Sequence, residues 1–150
     1  MDLFDLKGRV AFVTGGNGGI GLGMAKGLAA AGADIVIAGR NEAKAKNALA
    51  ALAAFGVRCE FAKVDVVDEV SCKTAIDNAA GRFGGLDILV NNAGTSVRKQ
   101  PQDLSAAEWH HVMNTNLTAA FLCSQAAYPH MLRRGGGQII NIGSMMSIFA

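Results

Sequence analysis

Six of the 19 glycines in this 150-residue sequence fall between positions 15 and 23, directly after a short apolar run. A glycine-rich loop of this kind lets backbone N–H groups approach a pyrophosphate, and the amino end of the following helix adds a partial positive charge. Two spacings fit the loop: Gly16, Gly18 and Gly21 give G-x-G-x-x-G, whereas Gly15, Gly19 and Gly21 give G-x-x-x-G-x-G. Either spacing predicts a dinucleotide-binding loop, and a tight turn without a ligand is the alternative.

The residues after the second apolar run indicate which dinucleotide is bound. An NAD-specific fold places a carboxylate there to bind the ribose 2′-hydroxyl, but this sequence reads Ala38-Gly39-Arg40-Asn41. The guanidinium group of Arg40 suits a 2′-phosphate instead. We therefore predict NADP as the cofactor, with NAD still possible; the alternative is that Arg40 is an ordinary solvent-exposed arginine.

Short apolar runs alternate with longer stretches rich in alanine and leucine. The predicted strands are 10–13, 35–38, 58–64, 86–90 and 138–142. The predicted helices are 19–31, 41–55, 68–83 and 105–132. Continuous apolar strands separated by helices indicate a parallel sheet covered on both faces. The sequence therefore predicts a doubly wound α/β fold with strand order 3-2-1-4-5, in one dinucleotide-binding domain over residues 1–150.

Residues with capping chemistry mark the starts of three of these helices. Ser105 and Glu108 have the spacing of a capping box, in which each side chain bonds a backbone N–H of the other residue. Asn41 and Asp68 are each followed by a glutamate, as expected for an N-cap at the positive end of a helix dipole.

Charge and cysteine content exclude several other classes of protein. The net charge of +2 is too small for nucleic-acid binding that depends on phosphate neutralisation. The longest stretch without a charged residue or histidine contains several polar side chains, which argues against a membrane span. The three cysteines form no C-x-x-C, so we expect reduced core thiols, a cytoplasmic protein and no metal site.

Four motifs, in this order, resemble those of the short-chain dehydrogenase/reductase family. They are Thr14-Gly15-x-x-x-Gly19-Ile20-Gly21, Asp65-Val66, Asn91-Asn92-Ala93-Gly94 and Asn114-Thr115-Asn116-Leu117. The resemblance implies a Rossmann fold and an NAD(P)-dependent oxidoreductase that interconverts a secondary alcohol and a ketone. It also favours the second of the two glycine spacings.

The resemblance implies a cofactor-binding role for the matched positions. Asp65 would hold the adenine amino group beside Val66, and residues 92–94 would pass close to the adenosine ribose. The expected cofactor-binding residues are Thr14, Gly15, Asn17, Gly19, Ile20, Gly21, Arg40, Asp65, Val66, Asn92, Ala93 and Gly94. Many family members that prefer NADP carry a basic residue where this chain has Gly18, which keeps NAD open.

The resemblance also implies two catalytic residues. Ser144 would hydrogen-bond the reacting oxygen, and Asn116 would lie at a helix kink and hold a water of the proton relay. The family's general acid/base is a tyrosine followed four residues later by lysine, whereas Tyr128 is followed by Leu132 and precedes Ser144. We therefore interpret Tyr128 as a helix-packing residue and expect the domain to continue beyond residue 150.

Residues 103–147 most resemble the branch of the family that acts on gluconate-type sugar acids. A reductase of 3-oxoacyl thioesters and a non-catalytic dinucleotide-binding module are the alternatives. The segment 113–128 is apolar nearly all round, which predicts a buried partner face; because the family commonly forms tetramers there, we expect a homotetramer.

Overall fold

The computed structural model describes residues 4–145, which form a parallel sheet between two layers of helices. The strands are β1 (Val10–Thr14), β2 (Asp34–Gly39), β3 (Cys59–Lys63), β4 (Ile88–Asn91) and β5 (Gln138–Asn141). The helices are α1 (Gly19–Ala30), α2 (Glu42–Ala53), α3 (Glu69–Phe83), α4 (Ala106–Met113) and α5 (Ala119–Arg133). Every predicted strand forms, with its ends at most two residues from the predicted ones.

The strand order is β3-β2-β1-β4-β5, and every neighbouring pair is parallel. This confirms the predicted doubly wound fold. Because the strands are parallel, the loops that follow β1, β2 and β4 leave the sheet at the same edge. Ligands of such folds bind outside the carboxyl ends of the strands, where the strand order reverses. Here the order reverses between β1 and β4.

Alternate residues of β1 face two separate hydrophobic cores. Val10 and Phe12 pack with residues of α3 and α5, whereas Ala11 and Val13 pack with residues of α1 and α2. The strand period of two residues sends successive side chains to opposite faces of the sheet. All of β1 is buried, which explains why its sequence is apolar without alternation.

The predicted helix caps are present. Ser105 and Glu108 form both bonds of the capping box at the start of α4. The side chain of Asn41 accepts from the Lys44 backbone N–H at 2.9 Å, and that of Asp68 accepts from the Ser71 N–H at the start of α3. The Asn41 cap fixes the start of α2 directly beside the carboxyl end of β2.

The prediction of one helix over 105–132 is wrong in detail. A π-helical turn, Asn114–Thr118, separates α4 from α5. Asn116 lies in this turn and exchanges two hydrogen bonds with the backbone of Thr95, at 2.8 and 2.9 Å. A turn of this kind is rare and often marks a functional site. Here, the two bonds to the loop after β4 offset the loss of regular helical bonds.

The outer face of α5 does not pack within residues 4–145. Tyr128, interpreted from the sequence as a helix-packing residue, is 61% exposed because Cys123, Ala127 and Met131 form the face of α5 that is buried in the core. Leu117 and Phe121 are exposed as well. Across residues 4–145, no helix combines the length and the apolar character that crossing a bilayer requires.

Candidate functional site

A group of hydrogen bonds ties the end of β1 to the loop after β4. The hydroxyl oxygen of Thr14 accepts from the backbone N–H groups of Asn92 and Ala93, at 2.9 and 3.0 Å, and donates to the Val90 carbonyl. The side-chain amide of Asn92 donates to the carbonyls of Thr14 and Gly15, at 3.0 and 3.4 Å. These bonds fix two of the loops at the reversal point against each other.

Close backbone contact explains two of the glycines in the loop after β1. Gly15 has φ +65°, and a β-carbon there would lie 2.9 Å from Asn92 Nδ2. Gly21 packs on the same amide, and its β-carbon would lie 2.5 Å from Asn92 Nδ2. The glycine at each position therefore lets α1 begin directly against the loop after β4.

The amino end of α1 has features expected of an anion-binding site. Its N-cap is Gly18, which supplies no side-chain cap, and the first turn contains no acidic side chain. The N–H groups of this first turn are therefore not used by a cap, and the helix dipole there favours negative charge. These donors suit a pyrophosphate.

A cavity of about 350 Å³ lies beside this loop at the carboxyl ends of the strands. Its lining combines the glycine loop, the start of α2, the segment after β3 and the loop after β4. The expected cofactor-binding residues among them are Gly15, Asn17, Arg40, Asp65, Val66, Asn92, Ala93 and Gly94. We call this space the first cavity.

Two cationic side chains line one part of the first cavity. Arg40 follows β2, and Lys44 lies in the first turn of α2, where Asn41 caps the helix. The side-chain amide of Asn17 donates to the Asn41 carbonyl at 3.3 Å and so joins the glycine loop to this segment. The only carboxylate in the described lining is that of Asp65.

Asp65 and Val66 lie in the segment that connects β3 to α3. One carboxylate oxygen of Asp65 accepts from the Val67 N–H at 3.3 Å, and the Asp65 N–H donates to the hydroxyl of Ser71 at 3.2 Å. Both residues line the first cavity, and Val66 lines a second one as well. These bonds hold the turn so that the carboxylate stays at the cavity wall.

The second cavity, of about 360 Å³, lies between the loop after β4, the π-helical turn and the segment after β5. The expected catalytic residues Ser144 and Asn116 both line it. The amide of Asn116 already bonds Thr95, but it keeps one further N–H and one further lone pair, enough for a water. The described residues thus bring the two side chains to one space beside the first cavity.

Asn91 connects β4 with its neighbours at the base of the second cavity. Its amide nitrogen lies 2.8 Å from Asn141 Oδ1 on β5, and it also reaches Ser124 and the Ala120 carbonyl on α5. Within the described part of the chain, Asn91 Oδ1 is buried and has no hydrogen-bond partner.

Three expected residues line neither cavity. Gly19, Ile20 and Gly21 form the first turn of α1, where their backbone N–H groups face the expected pyrophosphate site and the Ile20 side chain is exposed. Sequence reasoning missed Lys44, Thr95 and His111, which do line the first cavity. The N-cap at Asn41 was a usable signal for Lys44, because it places that lysine three residues into the helix that follows Arg40.

Sequence comparison relates the whole described chain to known proteins. Residues 9–150 match the family model described as short chain dehydrogenase. Gluconate 5-dehydrogenase of Gluconobacter oxydans (strain 621H) is 40% identical over 149 residues, which are 99% of this chain and 58% of that protein. The 2-dehydro-3-deoxy-D-gluconate 5-dehydrogenase of Escherichia coli (strain K12) is 42% identical over 98% of this chain and 58% of its own length.

A solved structure gives the same result in three dimensions. The crystal structure of a gluconate 5-dehydrogenase from Burkholderia cenocepacia J2315, in complex with NADP and tartrate, superposes with a TM-score of 0.91 at 44% identity. The match covers 99% of this chain and 58% of that one, so this chain spans less than two thirds of the relatives it matches. From the motif order, the strand order and these matches together, the chain belongs to the short-chain dehydrogenase family.

Proposed function

We propose that residues 1–150 form the dinucleotide-binding domain of an NADP(H)-dependent oxidoreductase that interconverts a secondary alcohol and a ketone. The observation that carries this proposal is the first cavity, where Arg40 and Lys44 share a wall with the glycine loop and with Asp65. Two cations and a phosphate-facing loop in one space match the charge of a dinucleotide with an additional phosphate. NAD, which lacks that phosphate, would leave both cations without an anionic partner.

Each part of the cofactor has a chemical counterpart in the site. The amino end of α1 would hold the pyrophosphate, and Arg40 and Lys44 would hold the 2′-phosphate. Asp65 would accept from the adenine amino group, and residues 92–94 would border the adenosine ribose. When bound, the nicotinamide supplies hydride transfer. Ser144 in the second cavity would donate a hydrogen bond to the reacting oxygen, and Asn116 would hold a water at Thr95.

We propose a sugar acid as the substrate. The support is the function of the two relatives, both dehydrogenases of gluconate-type acids, and the tartrate in the related crystal structure. We further propose a cytoplasmic homotetramer. The exposed apolar side chains of Leu117 in the π-helical turn and of Phe121 and Tyr128 on α5 support an interface there, and the three free thiols support a reducing compartment.

Replacing Arg40 with alanine is expected to weaken NADP⁺ binding roughly tenfold to a hundredfold, because one charge-assisted bond to a phosphate is lost. Binding of NAD⁺ should change little, since it has an uncharged hydroxyl and no phosphate at that position. Titration calorimetry with both nucleotides measures the two constants. Lys46→Ala, in the helix α2 that follows Arg40, is the control, because Lys46 is exposed and does not line the cavity. An equal loss for both nucleotides would contradict the 2′-phosphate assignment.

Turnover tests the proposed oxidoreductase activity. It is measured on the polypeptide as the organism encodes it. With gluconate and NADP⁺, Ser144→Ala is expected to lower kcat about a hundredfold, as for other donors to a reacting oxygen, and to leave NADP⁺ affinity unchanged. NADPH absorbance follows the reaction. Oxidation of no alcohol despite NADP⁺ binding would favour the non-catalytic module, and reduction of 3-oxoacyl thioesters alone would contradict the sugar-acid proposal.

A further inference from the structure

Two buried cysteines from different helices meet beneath the candidate site. Cys72 on α3 and Cys123 on α5 are each 1% exposed, and their sulfur atoms are 3.6 Å apart. The sequence predicts three reduced core thiols, and all three are free thiols in the structure. The fold, however, places two of them in contact although 51 positions separate them in the chain. Cys59 has no part in this pair, since its thiol donates to the Val57 carbonyl.

This thiol pair contacts the walls of both cavities. The thiol of Cys72 donates to the Val66 carbonyl at 3.2 Å, and Val66 lines the first and the second cavity. Cys123 itself lines the second cavity together with Asn116 and Ser144. A small molecule in the second cavity therefore borders Cys123, whose sulfur contacts that of Cys72. A change in the pair also acts directly on the backbone of Val66.

The two thiols are not chemically equivalent. The hydrogen bond that the Cys123 thiol donates lowers the pKa of Cys72 below the usual value, despite the opposing effect of burial. The same contact, together with burial, raises the pKa of Cys123. Because the thiolate is the nucleophilic form, Cys72 is the better attacking group and Cys123 the resolving one.

We propose that Cys72 and Cys123 form an oxidation-sensitive pair that closes to a disulfide with hydrogen peroxide and thereby weakens binding in the first cavity. The Cys72 thiolate attacks one peroxide oxygen, so that an S–O bond forms and the O–O bond breaks. The hydroxide that leaves takes up a proton to give water. The Cys123 sulfur then loses its proton, bonds to Cys72 Sγ and expels the sulfenic oxygen as a second water. Two electrons pass from the two sulfurs to one peroxide.

Closing the bond changes the site in two ways. The sulfurs must approach each other by about 1.5 Å to reach a disulfide length, so the side chain of Cys72 on α3 must move towards that of Cys123 on α5. The Cys72 thiol also loses its proton, so the Val66 carbonyl loses its hydrogen bond from Cys72. Both changes reach the segment that we propose holds the adenine ring. Only this effect on binding rests on the proposed function, because the disulfide itself is detectable without any cofactor.

The experiment treats the native protein with hydrogen peroxide, removes the oxidant with catalase, and alkylates the remaining thiols after denaturation. Mass spectrometry of the peptides is expected to find Cys72 joined to Cys123 and Cys59 alkylated. NADPH affinity, measured by fluorescence, is expected to fall roughly fivefold or more on oxidation and to recover with dithiothreitol. Cys59→Ala should behave as the unaltered protein, whereas Cys123→Ala and Cys72→Ala should each abolish the disulfide and the reversible loss of affinity.

Alkylation of both Cys72 and Cys123 after oxidation would overturn the disulfide. A complete disulfide with unchanged NADPH affinity would overturn its effect on the site. If the reduced protein binds no NADPH, the proposed function fails, and the peptide masses still decide whether the disulfide forms. Circular dichroism of both alanine variants tests whether they are folded, which separates loss of the thiol from unfolding of the chain as the cause of a missing disulfide.

Discussion

Asp87→Ala is expected to lower the free energy of unfolding by about 2–3 kcal/mol, because the change removes a buried carboxylate and leaves the buried Val10 N–H without its acceptor. Asp87 is 2% exposed and precedes β4. It bonds Arg9 at 2.9 Å, Arg134 through both carboxylate oxygens, and the Val10 N–H at 2.9 Å. One side chain thus joins the starts of β1 and β4 to the end of α5. Urea denaturation measures the loss.

Asp77→Ala is the matched control. Asp77 is also paired, with Lys73 and His130, but its side chain is 40% exposed. An exposed pair of this kind contributes at most about 1 kcal/mol. A loss for Asp87→Ala no greater than the loss for Asp77→Ala would contradict the importance given to the buried carboxylate.

Acid should reveal the same interaction in the unaltered protein. Burial alone raises the pKa of Asp87, but the bonds from Arg134, Arg9 and the Val10 N–H outweigh it, and the pKa lies below its ordinary value. A carboxyl whose pKa is lower in the folded state stabilises the fold above its unfolded pKa of about 4, and this contribution is lost as the pH falls through the folded value. The unfolding free energy should therefore decrease below about pH 4, and Asp87→Ala should lack this part of the decrease.

Gly21→Ala is expected to destabilise the chain by roughly 3 kcal/mol, at the upper end of the cost of overpacking. The new methyl group would lie 2.5 Å from Asn92 Nδ2 and even closer to the Gly15 carbonyl. Because that carbonyl is backbone, relief requires α1 to move away from the loop after β4. Thermal unfolding measures the stability, and NADPH titration should show weaker binding because the proposed pyrophosphate site has moved.

Gly27→Ala, in the same helix, is the control for Gly21→Ala. Gly27 is exposed, and a β-carbon there would contact nothing within 4 Å. Alanine in a helix interior is more favourable than glycine by about 0.5–1 kcal/mol, so this variant should be slightly more stable than the unaltered protein. Equal effects of the two substitutions on stability would mean that helix propensity, and not the contact with Asn92, determines the effect of replacing Gly21.

Local patterns in the sequence predict most of the fold. The apolar runs of β1 and β2 have no polar alternation, which already indicates strands buried on both faces, and the caps at Asn41 and Ser105 follow from residue type and spacing alone. The uncapped glycine-rich start of α1 was equally visible. Each of these features depends on residues within about one turn or one strand of each other, so the sequence alone predicts them.

The remaining features depend on contacts between distant segments. Asp87 lies before a strand and Arg134 after a helix, 47 positions apart, and only the folded sheet brings the two together. The family resemblance implies a helix kink at Asn116, but the bonds that stabilise the π-helical turn are not indicated, because its partner Thr95 is 21 positions away. Likewise Lys44 becomes part of the first cavity only once α2 is placed beside β2.

The sequence by itself determined the order of strands and helices, the helix starts and the family motifs, because those rest on periodicity and on residue types at short spacing. The tertiary structure alone decided that Arg9 and Arg134 share the buried Asp87, that Cys72 meets Cys123, and that Gly21 must be glycine to pack on Asn92. The physical reason is that these interactions are set by distances across the sheet and between helices. Such distances arise from the packing of the whole chain, and no short segment carries them.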